Sequence, residues 1–343
     1  MGLELNIAID QKAPRDWDKN LMKAPYASIH QTTYYARHCE RLGRKVYFVS
    51  LKQNGEVVAQ NLVHVQYASS YISTDLFALR PFPIKIPPKW LSWEYGPIFW
   101  GVSDQYAYLF VKMILKAFKI LPVLRALPHP LASDQPEAFR KLGFEALPER
   151  TFLLDLGKDI KQLWKSIKRK TRGNIRRAIR RGVSVEIVNS VSDFNEYFSL
   201  LNQSRKRHKM RPVNYSILYD TWRDMASHNV MKLFVAKHNG RITAGCEIPY
   251  FHGYMNYWAV AQSMADRYNK LCSTDLLMWK IIEWGHYNNQ RYYDFTLGAT
   301  EGSGVAFFKG KWGGRPIRLH DYTNLSKKGD LLNFLWRLRG MIL

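Results

Sequence analysis

One pattern occurs twice in this chain. Residues 48–60 read FVSLKQNGEVVAQ and residues 234–245 read FVAKHNGRITAG. Each is an apolar run, a turn containing Asn-Gly, then a residue, a β-branched residue, a residue and an Ala. Asn-Gly between alternating apolar runs predicts a β-hairpin, because a type I′ turn needs positive φ at both central residues. Two such hairpins with the same downstream pattern, half a chain apart, predict two copies of one domain. Two copies would leave a cleft between them, the natural place for a ligand.

Composition constrains the partners more than the fold. The chain has 343 residues, enough for two domains, and 46% of them are hydrophobic, so real cores are available. The balance of 51 Lys+Arg against 28 Asp+Glu gives +23. Solubility needs far less charge. A polyanion is therefore implied: RNA, an anionic membrane surface or a phosphorylated substrate. Cys39, Cys246 and Cys272 lack metal-ligand spacing and cannot all pair, which fits a reducing compartment. Neither a signal peptide nor an apolar run of membrane-spanning length is visible, so the expectation is a cytoplasmic protein without a metal.

The first unit is predicted over 1–150, the second over 151–325, and an amphipathic tail over 326–343. Helices are expected near 33–42, 104–119, 159–181, 191–207, 215–227 and 273–287. Strands are expected at 152–156, 183–188, 232–237, 241–260 and 291–295. Helices mixed with adjacent antiparallel hairpins read as α+β. The segment 331–343, LLNFLWRLRGMIL, reads as a helix that docks on the protein or rests on an anionic membrane interface.

Two segments carry candidate chemistry. In the helix at 159–181, Lys165, Lys168, Arg169, Lys170, Arg172, Arg176, Arg177, Arg180 and Arg181 crowd together. Leu163, Trp164, Ile167, Ile175, Ala178 and Ile179 give it an apolar stripe. The helix should pack on that stripe and turn its cations to phosphates, because such density repels itself along i,i+4 pairs. Arg205 opens a second basic cluster. The other segment runs through Tyr293, Asp294 and Phe295 to Phe308-Lys309-Gly310-Lys311-Trp312-Gly313-Gly314. A carboxylate ending a strand and a lysine in a Gly-rich turn make a plausible polar pair. By themselves these residues name no reaction.

Taken in order, these segments resemble the FemABX family. The resemblance rests on Leu163-Trp164, on Lys170–Ala178 with Gly182-Val183, on Phe234-Val235-Ala236 with its Asn-Gly turn, on Tyr293-Asp294-Phe295 and on 308–314. It covers 151–322 well, and the first unit chiefly through the hairpin and Glu94-Tyr95-Gly96-Pro97. The family implies an α+β fold of two tandem GNAT-like (acyl-CoA N-acyltransferase-like) domains. It implies an aminoacyltransferase that moves an aminoacyl group from aminoacyl-tRNA to an amine of a lipid- or nucleotide-linked peptidoglycan precursor. Lys309 would bind or polarise substrate near the transfer site, and the basic helix would face tRNA or precursor phosphates. The acidic residue expected soon after Gly96-Pro97 is replaced by Phe99 and Trp100, with Asp104 further on. The chain lacks the long helical arm of some members.

Attack of an amine on an ester needs positioning, an oxyanion donor and removal of a proton. Asp294 or Glu301 could orient the amine, and Lys309 could steady the oxyanion. Tyr257, Tyr268 and Tyr293 are candidate relays or packing residues. Lys168, Arg169, Arg172, Arg176, Arg205, Tyr257, Tyr293, Lys311 and Trp312 are the candidate substrate contacts. No bound cofactor is implied. A rival reading is an N-acyltransferase using acyl-CoA, with its pyrophosphate on a Gly-rich turn at a helix N-terminus. The stretch 262–272 before the helix at 273–287 holds no glycine, which argues against acyl-CoA there. A non-catalytic RNA- or polyanion-binding module is the alternative from another class.

Overall fold

A computed structural model describes residues 4–67, 89–100, 106–118, 121–132, 135–298 and 302–324. Asp104, Glu301 and the 326–343 tail of the sequence reading lie outside them. The described residues divide into two compact units, one of those up to 148 together with 319–324, the other of those from 149 to 318.

The first unit runs β1 (Leu5–Asp10), α1 (Trp17–Leu21), a 3-10 turn at Ile29–Gln31, α2 (Thr33–Arg41), β2 (Lys45–Gln53) and β3 (Glu56–Tyr67). It continues with β4 (Lys89–Glu94), β5 (Ile98–Phe99), α3 (Tyr106–Ala117), β6 (Val123–Leu127) and α4 (Gln135–Lys141). The predicted first hairpin is β2–β3, with Asn54 at φ 49° and Gly55 at φ 83°. Thr32 starts α2 by accepting from the Tyr35 amide. The sheet order is β1-β2-β3-β4-β6, antiparallel except for the parallel β4–β6 pair. The apolar face of α3 (Phe110, Val111, Ile114) closes over Val49, Leu51, Val63 and Trp93.

β7 (Glu145–Asp155) carries the chain into the second unit, running straight through Pro148. There follow α5 (Ile160–Ser166), α6 (Arg169–Arg180), β8 (Ser184–Ile187), α7 (Val191–Arg207), α8 (Tyr215–Ser227), β9 (Met231–His238), β10 (Arg241–Phe251), β11 (Tyr254–Asn256) and β12 (Val260–Gln262). Then come α9 (Met264–Tyr268), α10 (Ser273–Tyr287), β13 (Tyr292–Asp294), α11 (Gly304–Gly310) and β14 (Arg315–Thr323). The order is β7-β13-β11-β10-β9-β8, with β12 on β10. β11 and β13 are parallel and the other pairs antiparallel. The second hairpin, β9–β10, turns at Asn239 (φ 50°) and Gly240 (φ 73°). The end of β14 returns to the first unit, where Tyr322 pairs with Ala126.

Four local expectations are corrected. The helix predicted over 159–181 is two helices, because Ile167 and Lys168 take extended ψ values of 137° and 138°. Arg172 folds back so that its Nη1 donates to the carbonyls of Lys165 (2.8 Å) and Ile167 (2.9 Å), which caps the end of α5. The strand predicted over 241–260 reverses at His252-Gly253, both at positive φ. Lys309 lies not in a Gly-rich turn but in the last turn of α11, whose start Ser303 caps. The apolar stripe of α6 is also narrower than predicted: Ile175 and Ala178 are buried, but Ile179 is 55% exposed.

Candidate functional site

The site is built where β11 and β12 leave β13. β11 matches β13 as far as Asn256↔Asp294, and the Tyr257 amide still donates to the Asp294 carbonyl (2.9 Å). Beyond that, β12 pairs with β10. Between them, the Trp258 amide donates to the Glu247 carbonyl (3.1 Å) and the Glu247 amide to the Ala259 carbonyl (3.0 Å). On the other side, the chain after β13 turns at Thr296, with φ 56°. The two strands thus part beyond Tyr257, where the Thr296 hydroxyl still donates to the Tyr257 carbonyl at 3.1 Å, and this parting is the candidate notch.

Lys309 reaches this notch from α11. It is 4% exposed. Its Nζ donates to the carbonyls of Thr296 (2.9 Å) and Leu297 (2.7 Å) and sits 5.9 Å from the Tyr257 ring centre. Burial pushes its pKa down to about 8, and Asp294 and Glu149 oppose that drop. An ammonium has three N–H donors, so these two bonds leave one for a ligand.

Asp294 is spent internally. It is fully buried. Its carboxylate accepts from the Thr151 hydroxyl, from the Tyr254 hydroxyl at 2.9 Å and from the Thr296 amide at 2.8 Å. It fixes the turn whose carbonyls hold Lys309.

The remaining candidates separate into two groups. Trp312 is a core residue with no exposed surface, so it cannot contact substrate as expected. Lys311 is likewise taken: its Nζ binds Asp275 at 2.5 Å and lies over the Phe308 and Trp312 rings. Tyr293 is fully buried against the Phe295 ring, and Arg172 is the cap of α5. Lys168, Arg169 and Arg176 remain on the exposed face of α5–α6, with Lys168 over Phe307 (4.8 Å) and Arg176 over Trp164 (5.6 Å). Arg205 is partly buried on α7 and donates to the Arg211 carbonyl at 2.5 Å.

The start of α10 is closed by the chain's own carboxylates. Asp266, 1% exposed, accepts from the Ser273 amide at 2.8 Å and from Gln262 at 2.5 Å. Asp275, in the first turn, holds Lys311 and, at 2.7 Å, Asn174. The amides and dipole at that helix end already face negative charge.

One group the sequence reading missed is Glu247 on β10. It is 3% exposed, and its Oε1 is buried with no hydrogen-bond partner. Burial raises its pKa to about 7, against a lowering contact from the Tyr197 hydroxyl. The available signal was a lone acid inside the apolar run ITAGCEIPYF.

Residues 169–309 match the model of the acetyltransferase (GNAT) domain. Among solved structures, the chain resembles FemX with a TM-score of 0.71 at 14% identity, over 92% of this chain and 96% of that one. It resembles the C-terminal domain of a protein from Agrobacterium fabrum assigned as a lysylphosphatidylglycerol synthetase, with a TM-score of 0.57 at 13% identity over 90% of each chain. A tandem GNAT protein from the clavulanic acid biosynthesis pathway gives a TM-score of 0.51 at 15% identity, over 93% of this chain and 98% of that one. No curated protein sequence matches the chain. The fold is therefore α+β, with two GNAT-like domains in tandem. Within that class it is FemABX-like, and these matches support an acyltransferase. Among the described residues, no helix is long and apolar enough to cross a membrane.

Proposed function

We propose that this protein is an acyltransferase that moves an aminoacyl group from aminoacyl-tRNA to an amine of a lipid- or nucleotide-linked cell-envelope precursor, working in the cytoplasm or at the inner face of the membrane. The observation that carries the choice of donor is the closed start of α10. A GNAT domain that uses acyl-CoA needs free amides there for pyrophosphate. Asp266 takes the Ser273 amide, and Asp275 adds a second carboxylate. A pyrophosphate would meet both. An ester-linked donor needs no such cradle. Its nucleic-acid phosphates suit the exposed cations of α6 and the 205–211 cluster instead. The FemX likeness and the lysylphosphatidylglycerol synthetase likeness fit a cell-wall or lipid acceptor.

In this reading the acceptor amine attacks the ester carbonyl, and negative charge grows on the carbonyl oxygen. The third N–H of Lys309 faces that oxygen. The other two N–H groups, fixed on Thr296 and Leu297, pre-set its aim, so no reorganisation is needed as charge develops. Asp294 acts through the turn it holds and does not touch substrate.

The test incubates the protein with total tRNA carrying radiolabelled amino acids and with lipid-linked or nucleotide-linked precursor. Label should reach the acceptor. Lys309→Ala should lower kcat by roughly 10²–10³-fold, the loss seen when one oxyanion donor is removed. Ribonuclease pretreatment should abolish transfer. Transfer from acyl-CoA but not from charged tRNA would overturn the reading.

A further inference from the structure

Glu247 has no function in the reading above, and its setting is unusual for a carboxyl group. Its strand is buried from Ile242 to Phe251. Acids are almost never fully buried unless paired. Among the described residues no cation acts on this carboxyl. The groups that act on it or that it acts on are the Tyr197 hydroxyl from α7 and Cys246 on its own strand. Arg205, two turns further along α7, acts on Tyr197. The arrangement is built rather than incidental. Tyr197 lies flat on β10 because position 245 is glycine; a Cβ there would stand 2.5 Å from the Tyr197 ring. The Tyr197 hydroxyl donates its one proton to the carbonyl of Ala259 (3.2 Å), the residue opposite Glu247, and so is held next to the carboxyl.

Glu247 and Lys309 flank the same short segment. The Glu247 backbone brackets Trp258 and Ala259, while Lys309 lies over Tyr257. We propose that Glu247 is the proton acceptor for the attacking amine, with Tyr197 as its positioning residue. This rests on the acyl-transfer reading. An ammonium cannot attack, so Glu247 Oε1 takes one proton, through one water in the notch. The amine nitrogen then bonds to the ester carbonyl carbon. The carbon–oxygen bond to the sugar breaks, and the departing oxygen leaves as a hydroxyl with a second proton from the nitrogen. The product is an amide, and the first proton goes from Glu247 to solvent. A carboxyl lifted to about 7 and a lysine lowered to about 8, each reaching the same 257–259 segment, have environments that push their pKa values in opposite directions, the pattern of an acid–base pair at work.

Two measurements decide it. The first is kcat/KM from pH 5.5 to 9.5 for the wild type, Glu247→Gln and Tyr197→Phe, with the same charged tRNA and acceptor. The wild type should rise through a group near pH 7. Glu247→Gln should lose that limb and at least 10²-fold in rate. Tyr197→Phe should move the limb to higher pH, because the hydroxyl holds the carboxyl down; a purely structural role would lower the rate without moving it. The second is an infrared titration of the buried carboxyl, taken as wild type minus Glu247→Gln, which needs no turnover. Loss of the limb together with titration near neutrality supports the proposal. An active Glu247→Gln with an unchanged profile, or titration at an ordinary carboxylate value, overturns it. A wild type that uses no donor, with Glu247 titrating near 7, overturns the acyl-transfer reading and this role with it.

Discussion

Glu94 in the first unit and Glu247 in the second are buried carboxyls that shift in opposite directions. Burial alone would raise Glu94, yet it is lowered, because His64, Arg125, Arg44 and His30 surround it. His64 and His30 are themselves held near pH 4 by burial, so at neutral pH the permanent charges of Arg44 and Arg125 do the holding. The His64 ring lies 3.8 Å from the carboxylate and the Tyr35 hydroxyl 3.4 Å. Glu247 has a tyrosine and no cation, and it rises to about 7. Glu94 keeps 12% of its side chain exposed and Glu247 is 3% exposed, so both are largely buried, but the counter-charge differs. The difference separates a structural acid, neutralised where it stands, from one poised to exchange a proton.

The contrast is broken most sharply at Glu94. Glu94→Gln removes the carboxylate that the Arg44 and Arg125 charges, His64 and the Tyr35 hydroxyl act on, which should cost about 3 kcal/mol. Urea unfolding would read this as a lower midpoint. An unchanged midpoint would mean that the network contributes nothing.

Glu247→Gln should act in the opposite sense, and only at high pH. The folded pKa is above the unfolded value. So the contribution of the proton-bound form is fully present below the ordinary glutamate value of 4.5 and is lost as pH rises through about 7. At pH 8.5 the wild type carries a desolvated charge that the amide lacks. The variant should then be more stable by about 3 kcal/mol, from 1.36 kcal/mol per pKa unit. At pH 4 the two should unfold together. Equal stability at both pH values would place the Glu247 carboxyl in water.

These two acids also show what the sequence reveals. The hairpins were legible because Asn-Gly dictates backbone geometry by itself. Lys309 was legible through its neighbours in 308–314, although its helix was not, since Gly304 and Gly310 mask a short helix that Ser303 alone caps. The break at Ile167–Lys168 was hidden because its cap comes from Arg172, a residue that reads as one more surface cation. Trp312 and Lys311 looked available only because sequence cannot show that Asp275 and the core had already claimed them. Glu247 was passed over because alternation marks a strand but not which residue on it goes unpaired.

A smaller effect sharpens the donor question. Asp266→Ala removes a charged cap from α10 and should cost about 2 kcal/mol. It also frees the Ser273 amide. The variant should gain thermal stability from millimolar inorganic pyrophosphate, and the wild type should not. Pyrophosphate stabilising the wild type equally would show that Asp266 does not close this helix end.

The smallest change falls on the face of α6, and it separates binding from chemistry. Arg176 and Arg180 are exposed, and Arg176 touches only the Trp164 ring among the described contacts, so replacing both with Gln should leave the unfolding midpoint within about 0.5 kcal/mol. If these cations meet RNA phosphates, the slope of log affinity against log salt for tRNA should fall by about 1.5–2 units. The rate at saturating tRNA should stay the same, because neither residue lines the notch that holds Lys309. A slope that does not move would take α6 out of the RNA interface and leave the 205–211 cluster to carry it. A rate that falls at saturation would mean that the helix positions the ester as well as the phosphates.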